Sequence, residues 1–245
     1  MPEVAAVGFG RAAAEYERAR PGYPGAALRL LAGTGALEPG RLVVDLAAGT
    51  GKLTRQLAGF GATVVAVEPL APMREALVGT ALVAAGAAEA LPLRTGSADL
   101  VTVAQAFHWF RVAPALTEIV RVTRPGGWLA LLWNERDESV PWVKAFGDVI
   151  ERHAGGRPYT PGEDWDARLA EAGLTDIRHH RMDHPLPSSR ALVVERARST
   201  SYVAALPDDR RAAALAEVAA LVEGFADPFR FPHVTDVHLA RTPGP

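Results

Sequence analysis

Short apolar runs alternate with helical periodicities between residues 41 and 134. The apolar runs cover residues 42–46, 63–67, 81–84, 100–104 and 128–133. Between the last two runs, Val112, Leu116, Ile119 and Val120 recur at the i, i+4, i+7 and i+8 spacing of one helix face. Continuous apolar strands that alternate with helices are typical of a parallel sheet buried on both faces. Right-handed crossovers then predict an α/β, Rossmann-like, doubly wound sheet.

The flanking segments predict the rest of one domain over residues 1–245. Residues 9–20 have helical spacing, Pro21-Gly22-Tyr23-Pro24 ends that helix, and residues 25–31 suit a second one. Later helices are predicted at 140–153, 162–172 and 208–222, and strands at 174–185 and 234–240. With an antiparallel last strand, these complete seven strands. Residues 1–35 then form an N-terminal helical lid, 36–135 the core of the sheet, and 136–245 insertions with the last two strands.

Composition and charge exclude several classes of function. The chain has no cysteine, which excludes disulfide scaffolds, thiolate metal sites and cysteine nucleophiles. Its net charge of −2 disfavours nucleic-acid binding. The Met1-Pro2-Glu3 start does not suit a signal peptide, and no apolar run is long enough to span a bilayer. We expect a cytoplasmic protein, monomeric or homodimeric, with no nucleic-acid or membrane partner.

The informative segment joins the first apolar run to a helix. Asp45 ends the run, Gly49 and Gly51 follow, and a helix begins near Lys52. Such a loop lets a ligand approach the backbone closely, beside the helix N-terminus. A dinucleotide fingerprint would need glycine where Thr54 stands, and a P-loop would need it at Leu46. A nicotinamide oxidoreductase is therefore a less favoured alternative.

This segment resembles the first motif of the class I S-adenosylmethionine-dependent methyltransferases, an acid followed by G-x-G-x-G. Ala47 stands at the first glycine position. Glu68 ends the second run, where the family has an acid that takes both ribose hydroxyls, although such an acid also suits NAD. Residues 87–92, 98–101 and 118–127 resemble further family motifs, so the likeness covers about residues 40–134. The 20–24 and 107–110 segments resemble the small-molecule branch with ubiquinone-biosynthesis and trans-aconitate-type enzymes.

The resemblance implies a cofactor, a product and a reaction. S-adenosylmethionine would donate its methyl group by SN2 displacement to O, C or N of a small organic acceptor, leaving S-adenosylhomocysteine. Alignment of the methyl group with the acceptor atom supplies much of the rate acceleration, and a base is needed only if the acceptor must lose a proton. An alternative from another class is a protein that binds the cofactor without methyl transfer, as a different catalyst or as a regulator.

The resemblance also implies the cofactor-binding residues. Asp45 would hold loop amides or touch the methionine amino group, and Gln105 and Ala106 would line the methionine arm. Arg20 would pair with the methionine carboxylate or with an anionic substrate, in a lid with Tyr16 and Tyr23, although a plain capping helix is an equal alternative. The full predicted cofactor set is Tyr16, Arg20, Asp45, Ala47, Gly49, Thr50, Gly51, Glu68, Pro69, Met73, Ala88, Glu89, Gln105 and Ala106.

His108 is the candidate catalytic base, because an ordinary imidazole pKa near 6.5 suits proton removal. It follows the fourth strand, and the alternative is a wall residue that shapes the pocket. The predicted substrate-binding residues are Tyr23, Phe107, Trp109, Asn134 and Arg136. His179, His180 and His184 lie close together in the sequence, but strand alternation separates His179 from the other two. No metal site is expected.

Overall fold

The apolar runs pair into one seven-stranded sheet in the computed structural model, which describes residues 21–154 and 164–244. Its strands are β1 (Leu42–Leu46), β2 (Thr63–Val67), β3 (Leu82–Ala84), β4 (Ala98–Ala104), β5 (Thr123–Arg136), β6 (Thr175–Asp183) and β9 (His233–Arg241). Two further strands, β7 (Leu186–Ser188) and β8 (Phe229–Phe231), form a separate antiparallel pair.

Helices occupy the connections. In chain order they are α1 (Gly25–Ala32), α2 (Lys52–Ala58), α3 (Ala71–Glu75), α4 (Val112–Val122), α5 (Pro141–Ala154), α6 (Trp165–Glu171), α7 (Arg190–Arg198), α8 (Ser201–Ala204) and α9 (Asp208–Leu221). A 3-10 turn, Phe107–Trp109, follows β4.

The sheet order is β3-β2-β1-β4-β5-β9-β6. Strand β1 pairs in parallel with β2 on one side and with β4 on the other, so the order of the strands reverses between β1 and β4. Ligands of open α/β sheets bind at the carboxyl ends of the strands beside such a switch point. Strand β9 lies antiparallel between β5 and β6 and pairs with β5 from Trp128 to Arg136.

Alternation along the strands divides the core into two layers. Leu129, Leu131 and Trp133 of β5 face one layer, with α4 and α6, and the residues between them face the other, with α1 and α2. A third apolar cluster, around Phe146 and Phe231, joins α5, α7 and α9 to the β7–β8 pair. Burial on both faces explains why the central strands are continuous apolar runs.

The structure confirms the doubly wound seven-stranded sheet, the antiparallel last strand and the main predicted helices. Some details were wrong. Strand β5 begins at Thr123, before the predicted 128–133 run, with an irregularity near 125–127, and β6 is shorter than the predicted 174–185 strand. The α7 and α8 helices and the β7–β8 pair were not predicted. The 9–20 helix lies outside the described residues, and none of the described helices could cross a membrane.

Asp99 fastens the amino-terminal end of the sheet. Its carboxylate accepts hydrogen bonds from the guanidinium of Arg41 (3.0 Å), the guanidinium of Arg124 (2.6 Å) and the backbone N–H of Leu42 (2.9 Å). Burial raises the pKa of Asp99, but these hydrogen bonds outweigh burial and hold the pKa below its ordinary value. The ionised side chain therefore ties β4 to β1 and β5.

We expect Asp99→Ala to lower the free energy of unfolding by about 2 kcal/mol at pH 7, since it removes charge-assisted hydrogen bonds between three strands. Because the folded pKa is lowered, this contribution is full above the ordinary pKa of about 4 and is lost as the pH falls below it. Urea denaturation at pH 7 and pH 3 measures the difference, with Glu38→Ala on an exposed loop as the control. An equal loss at both pH values would contradict a role for the charge.

Candidate active site

The loop between β1 and α2 has a left-handed backbone at three alternating positions. The φ angles are 54° at Ala47, 58° at Gly49 and 87° at Gly51. A Cβ atom at Gly51 would collide with Leu77, whereas one at Gly49 would meet nothing within 4 Å. Ala47 adopts the glycine-type conformation although a left-handed L-residue costs about 1–2 kcal/mol. The loop thus keeps a G-x-G-x-G backbone and turns an open face outward at Gly49.

Glu68 connects this loop to the end of β2. It is 5% exposed, and its two carboxylate oxygens accept the N–H groups of Gly49 and Leu70, both at 2.9 Å. Arg74 donates to the carbonyls of Glu68 and Pro69 and so holds the turn. Burial raises the pKa of Glu68 more than its hydrogen bonds lower it. The carboxylate is therefore fixed beside the loop, and each of its oxygens has a second lone pair for a ligand hydroxyl.

Asp45 lies beneath the loop at the end of β1. Thr54 donates its hydroxyl to the carboxylate at 2.5 Å, and Thr102 of β4 does so at 3.0 Å. Complete burial and, to a smaller extent, the nearby charge of Glu68 raise the pKa of Asp45 to about 6, although the hydrogen bonds from Thr54 and Thr102 lower it. Asp45 also accepts the backbone N–H of Thr54 in the first turn of α2, whereas the Gly49 N–H donates to Glu68. Asp45 thus connects α2 to β4 and places a second negative charge under the loop.

The other predicted cofactor residues of the described chain surround the same edge of the sheet. Thr50, Met73 and Ala88 are buried. The Glu89 carboxylate accepts the backbone N–H of Arg111 at 3.0 Å and so caps the start of α4. Pro69 follows Glu68, and Ala106 follows Gln105 at the end of β4.

Gln105 has a left-handed backbone, with a φ of 58°. Its side-chain amide donates to the carbonyl of Asn134 at 2.8 Å, and its backbone N–H donates to Leu132. A second strained residue therefore lies at the switch point, opposite Ala47. Such outliers persist only where the surrounding structure holds them, and they cluster at functional sites.

His108 lies in the 3-10 turn after β4. The indole N–H of Trp133 donates to its Nδ1 at 3.3 Å, so the neutral ring carries its proton on Nε2. Burial lowers the pKa of His108 to about 4, and the ring is neutral at pH 7. The lone pair that a base would use therefore already accepts a hydrogen bond. Trp133 also stacks on Trp165 with 5.6 Å between ring centroids, and Phe107 packs edge-on against Trp165.

The described chain begins with a strap, residues 21–24, across the carboxyl edge of the sheet. Tyr23 and Gln56 of α2 exchange two hydrogen bonds of 2.9 Å through the Tyr23 backbone. The carbonyl of Gly22 accepts Asn134 Nδ2 at 3.0 Å and His184 Nε2 at 3.1 Å. Tyr23 is buried in the core against α1, so it anchors the strap. Tyr16 and Arg20 lie outside the described residues.

The predicted substrate residues on β5 differ in what they contact. Asn134 accepts the Thr235 hydroxyl at 2.6 Å and donates to Gly22, so both ends of its amide help to hold the strap against the sheet. Arg136 contacts Glu138 at 3.4 Å and has a buried Nε atom without an acceptor. Trp109 lies beside the His108 ring, at 4.7 Å between centroids.

The residues missed by the sequence reasoning are Thr54, Gln56, Thr102 and Trp133, which act through tertiary contacts and carry no motif.

The histidines late in the chain do not form a metal site. His179 pairs with Asp236 at 2.7 Å and stacks on His238, and His184 bonds to the strap. Over residues 21–154 and 164–244, no three His, Asp or Glu side chains converge in a way that could hold a metal ion.

Known sequences are similar to this chain over the region that contains this site. A family model described as a methyltransferase domain matches residues 44–131. An uncharacterized methyltransferase of Mycobacterium tuberculosis is 38% identical over 217 residues, which are 87% of this chain and 85% of that protein. A demethylmenaquinone methyltransferase of Beutenbergia cavernae is 42% identical over 120 residues, 46% of this chain and 49% of that protein.

Solved structures of other proteins share the fold of this chain. A putative type II methyltransferase from Anaeromyxobacter dehalogenans superposes with a TM-score of 0.65 at 25% identity, over 92% of this chain and 99% of that one. A phosphoethanolamine N-methyltransferase of Haemonchus contortus, solved with S-adenosylhomocysteine, shares the fold with a TM-score of 0.59 at 17% identity, over 96% of this chain and 57% of that one. Together with the acid–glycine loop and Glu68, these likenesses show that the chain belongs to the class I S-adenosylmethionine-dependent methyltransferases.

Proposed function

We propose that this methyltransferase binds S-adenosylmethionine over the carboxyl ends of β1, β2 and β4 and methylates a small organic acceptor beside β4 and β5. The observation that carries the proposal is the Glu68 carboxylate, which is fixed to Gly49 of the motif loop. The open face at Gly49 leaves room for a ligand against the backbone. When bound, the cofactor supplies a methyl group on a positively charged sulfonium, which is already a good electrophile.

The residues around the loop suit this cationic ligand. Glu68 offers a lone pair on each oxygen to the ribose hydroxyls, while Asp45 and Glu68 together supply negative charge to a ligand with a sulfonium and an ammonium. We also assign to the cofactor site Ala47, Thr50, Gly51, Pro69, Met73, Ala88, Glu89, Gln105 and Ala106, and keep Tyr16 and Arg20 as predictions.

On the acceptor side, we propose that residues 136–245 complete the pocket begun by the His108 turn. Phe107, Trp109, Tyr23 and Asn134 shape its wall. With its ring neutral and its Nδ1 bonded to Trp133, His108 acts as a wall residue and Nε2–H donor rather than as a general base. The net charge of −2 favours a small acceptor over a nucleic acid. The cytoplasmic location, the single domain and the monomeric or homodimeric state stay predictions.

Glu68→Ala tests the cofactor site. We expect it to weaken S-adenosylhomocysteine binding by about 30-fold, because about 2 kcal/mol of charge-assisted hydrogen bonding is lost. Isothermal titration calorimetry measures the affinity, with Glu75→Ala on the exposed side of α3 as the control and Glu68→Asp as a milder variant. NAD and NADP are titrated in parallel. Tight NAD binding, or unchanged S-adenosylhomocysteine binding in Glu68→Ala, would refute the proposed site.

Cofactor affinity should depend on pH through Asp45. Because its pKa is raised to about 6, Asp45 gains a proton as the pH falls below 6, and the site loses negative charge. S-adenosylmethionine should then bind up to about tenfold more weakly at pH 5 than at pH 7. S-adenosylhomocysteine, which lacks the sulfonium charge, should show a smaller change. The Asp45→Asn variant should bind S-adenosylmethionine more weakly at pH 7, and its affinity should change little between pH 5 and 8. Isothermal titration calorimetry between pH 5 and 8 measures the affinity. If Asp45→Asn keeps the pH dependence of the wild type, a group other than Asp45 titrates and the prediction is wrong.

His108 should not titrate between pH 5.5 and 8, because burial lowers its pKa to about 4. Nitrogen-15 NMR of the imidazole should show a neutral ring with the proton on Nε2 throughout this range. In Trp133→Phe, which lacks the indole donor, the proton should be shared between the two nitrogens. Trp128→Phe, whose ring packs against Arg241, is the control. A His108 midpoint between pH 6 and 7 would restore the general-base role.

A further inference from the structure

Basic side chains lie next to one another on one face of three neighbouring strands. Arg136 of β5 is directly opposite His233 of β9. His184 follows β6, and its backbone N–H donates to the His233 carbonyl at 2.7 Å. All three positions share the sheet face of the α1–α2 layer, since they alternate in phase with Leu132, Val237 and Met182 of that layer. We call Arg136, His184 and His233 the basic triplet.

The C-terminal insertion covers the triplet with aromatic rings and a fourth basic group. The guanidinium of Arg136 lies 5.5 Å from the Phe146 centroid, and that of Arg196 lies 5.4 Å from the Phe231 centroid. The His233 ring contacts the same Phe231 at 4.5 Å. These rings bring the Arg196 charge close to the triplet and shield the charges from water.

The positive charge here comes from the guanidinium groups of Arg136 and Arg196. Burial is the main cause that lowers the pKa of His233 to about 3, with smaller contributions from Arg196, Arg136 and His184, and burial also lowers the pKa of His184. The acid that faces the triplet is Glu138, whose Oε1 lies 3.4 Å from Arg136 Nη2. This contact leaves the Nε–H of Arg136 buried and without an acceptor. A buried cationic donor without a partner is rare in proteins and calls for an anion or another acceptor.

Ser188 supplies a second, independent donor. It is 5% exposed, and its buried hydroxyl has no hydrogen-bond partner among the residues that the structure describes. Ser188 pairs with Phe229 in the β7–β8 strands, and Leu186 two residues earlier pairs with Phe231. Ser188 therefore points to the same side of this small sheet as Phe231. The Phe231 ring is the one that packs against the Arg196 guanidinium and the His233 ring.

We propose that Arg136 and Ser188, in the field of the basic triplet, bind an anionic group of the methyl acceptor, a carboxylate or a phosphate ester. Arginine matches both groups by paired N–H donation, and the Ser188 hydroxyl adds a further donor. Phe146 and Phe231 suit an apolar body beside the anion. The acceptor is thus a small organic acid or phosphate ester.

The location agrees with an acceptor subsite, and this inference rests on the proposed function. Arg136 is two residues beyond Asn134, whose carbonyl accepts the Gln105 side chain at the end of β4. The same Asn134 holds the strap through Gly22, which also bonds His184. Three hydrogen bonds, from His184 to Gly22, from Gly22 to Asn134 and from Asn134 to Gln105, therefore connect the basic triplet to the switch point where the cofactor is proposed to bind.

The test uses the full chain loaded with S-adenosylhomocysteine and three probes of similar shape, namely benzoate, phenyl phosphate and neutral benzamide. We expect benzoate or phenyl phosphate to bind at least tenfold more tightly than benzamide in calorimetric titrations, and the better anion identifies the acceptor group. Arg136→Gln should lose at least tenfold in anion affinity, Ser188→Ala about threefold, and Arg136→Lys less than Arg136→Gln. Arg94→Gln, an exposed arginine before β4, should change nothing.

An NMR titration adds a readout that does not depend on turnover. A bound anion should raise the pKa of His233 towards its ordinary value, and Arg136→Gln should abolish that effect. Equal binding of benzoate, phenyl phosphate and benzamide, or anion binding unchanged in Arg136→Gln, would overturn the inference. Thermal unfolding verifies that the variants fold. Cofactor affinity is measured separately, and the probes are also titrated without cofactor, so failure of the cofactor site and failure of the anion site are distinguished.

Discussion

The hydrogen bond from Gly49 to Glu68 is the contact on which the rest of the site depends. It joins the loop after β1 to the end of β2, so two neighbouring strands present one rigid surface at the switch point. Both ends of this bond are supported from behind. Arg74 holds the carbonyls of the Glu68 turn, and Asp45 holds α2 and β4 through two hydroxyls. A preorganised loop of this kind lowers the conformational entropy lost when a ligand binds.

This preorganisation has an energetic cost in the protein without ligand. Asp45 and Glu68 are both buried carboxylates with raised pKa values, and Ala47 and Gln105 adopt left-handed conformations on opposite sides of the switch point. Each feature disfavours the folded state locally, and the sheet tolerates them because its central strands are buried on both faces. A cationic ligand would relieve the repulsion between the carboxylates, since it favours their ionised forms. The unfavourable features lie where ligand binding can compensate for them.

The acceptor side follows from the antiparallel insertion of β9. Placing β9 between β5 and β6 brings His233 opposite Arg136 and aligns His184 beside them, although these residues lie about 50 to 100 positions apart in the chain. The third apolar cluster then covers the charges with Phe146 and Phe231. Asn134 links the two halves, since it contacts Gln105, the strap and Thr235 of β9. The proposed cofactor and acceptor sides are therefore connected through one residue of β5.

The sequence by itself determined the sheet and the cofactor loop, because both depend on local signals: continuous apolar runs, helical spacing, and glycines at fixed distances from an acid. It also placed Glu68 at the end of the second strand, where the family resemblance implies an acid for the ribose hydroxyls. Only the tertiary structure decided which donors those groups use. Thr54 and Thr102 on Asp45, Trp133 on His108, and Arg136 beside His233 and Ser188 are contacts between distant segments, and no periodicity records them. The roles proposed for His108 and Asn134 depend on such contacts, because hydrogen bonding and burial set the charge and the available lone pairs of a side chain. These come from neighbours that the chain supplies only once it is folded.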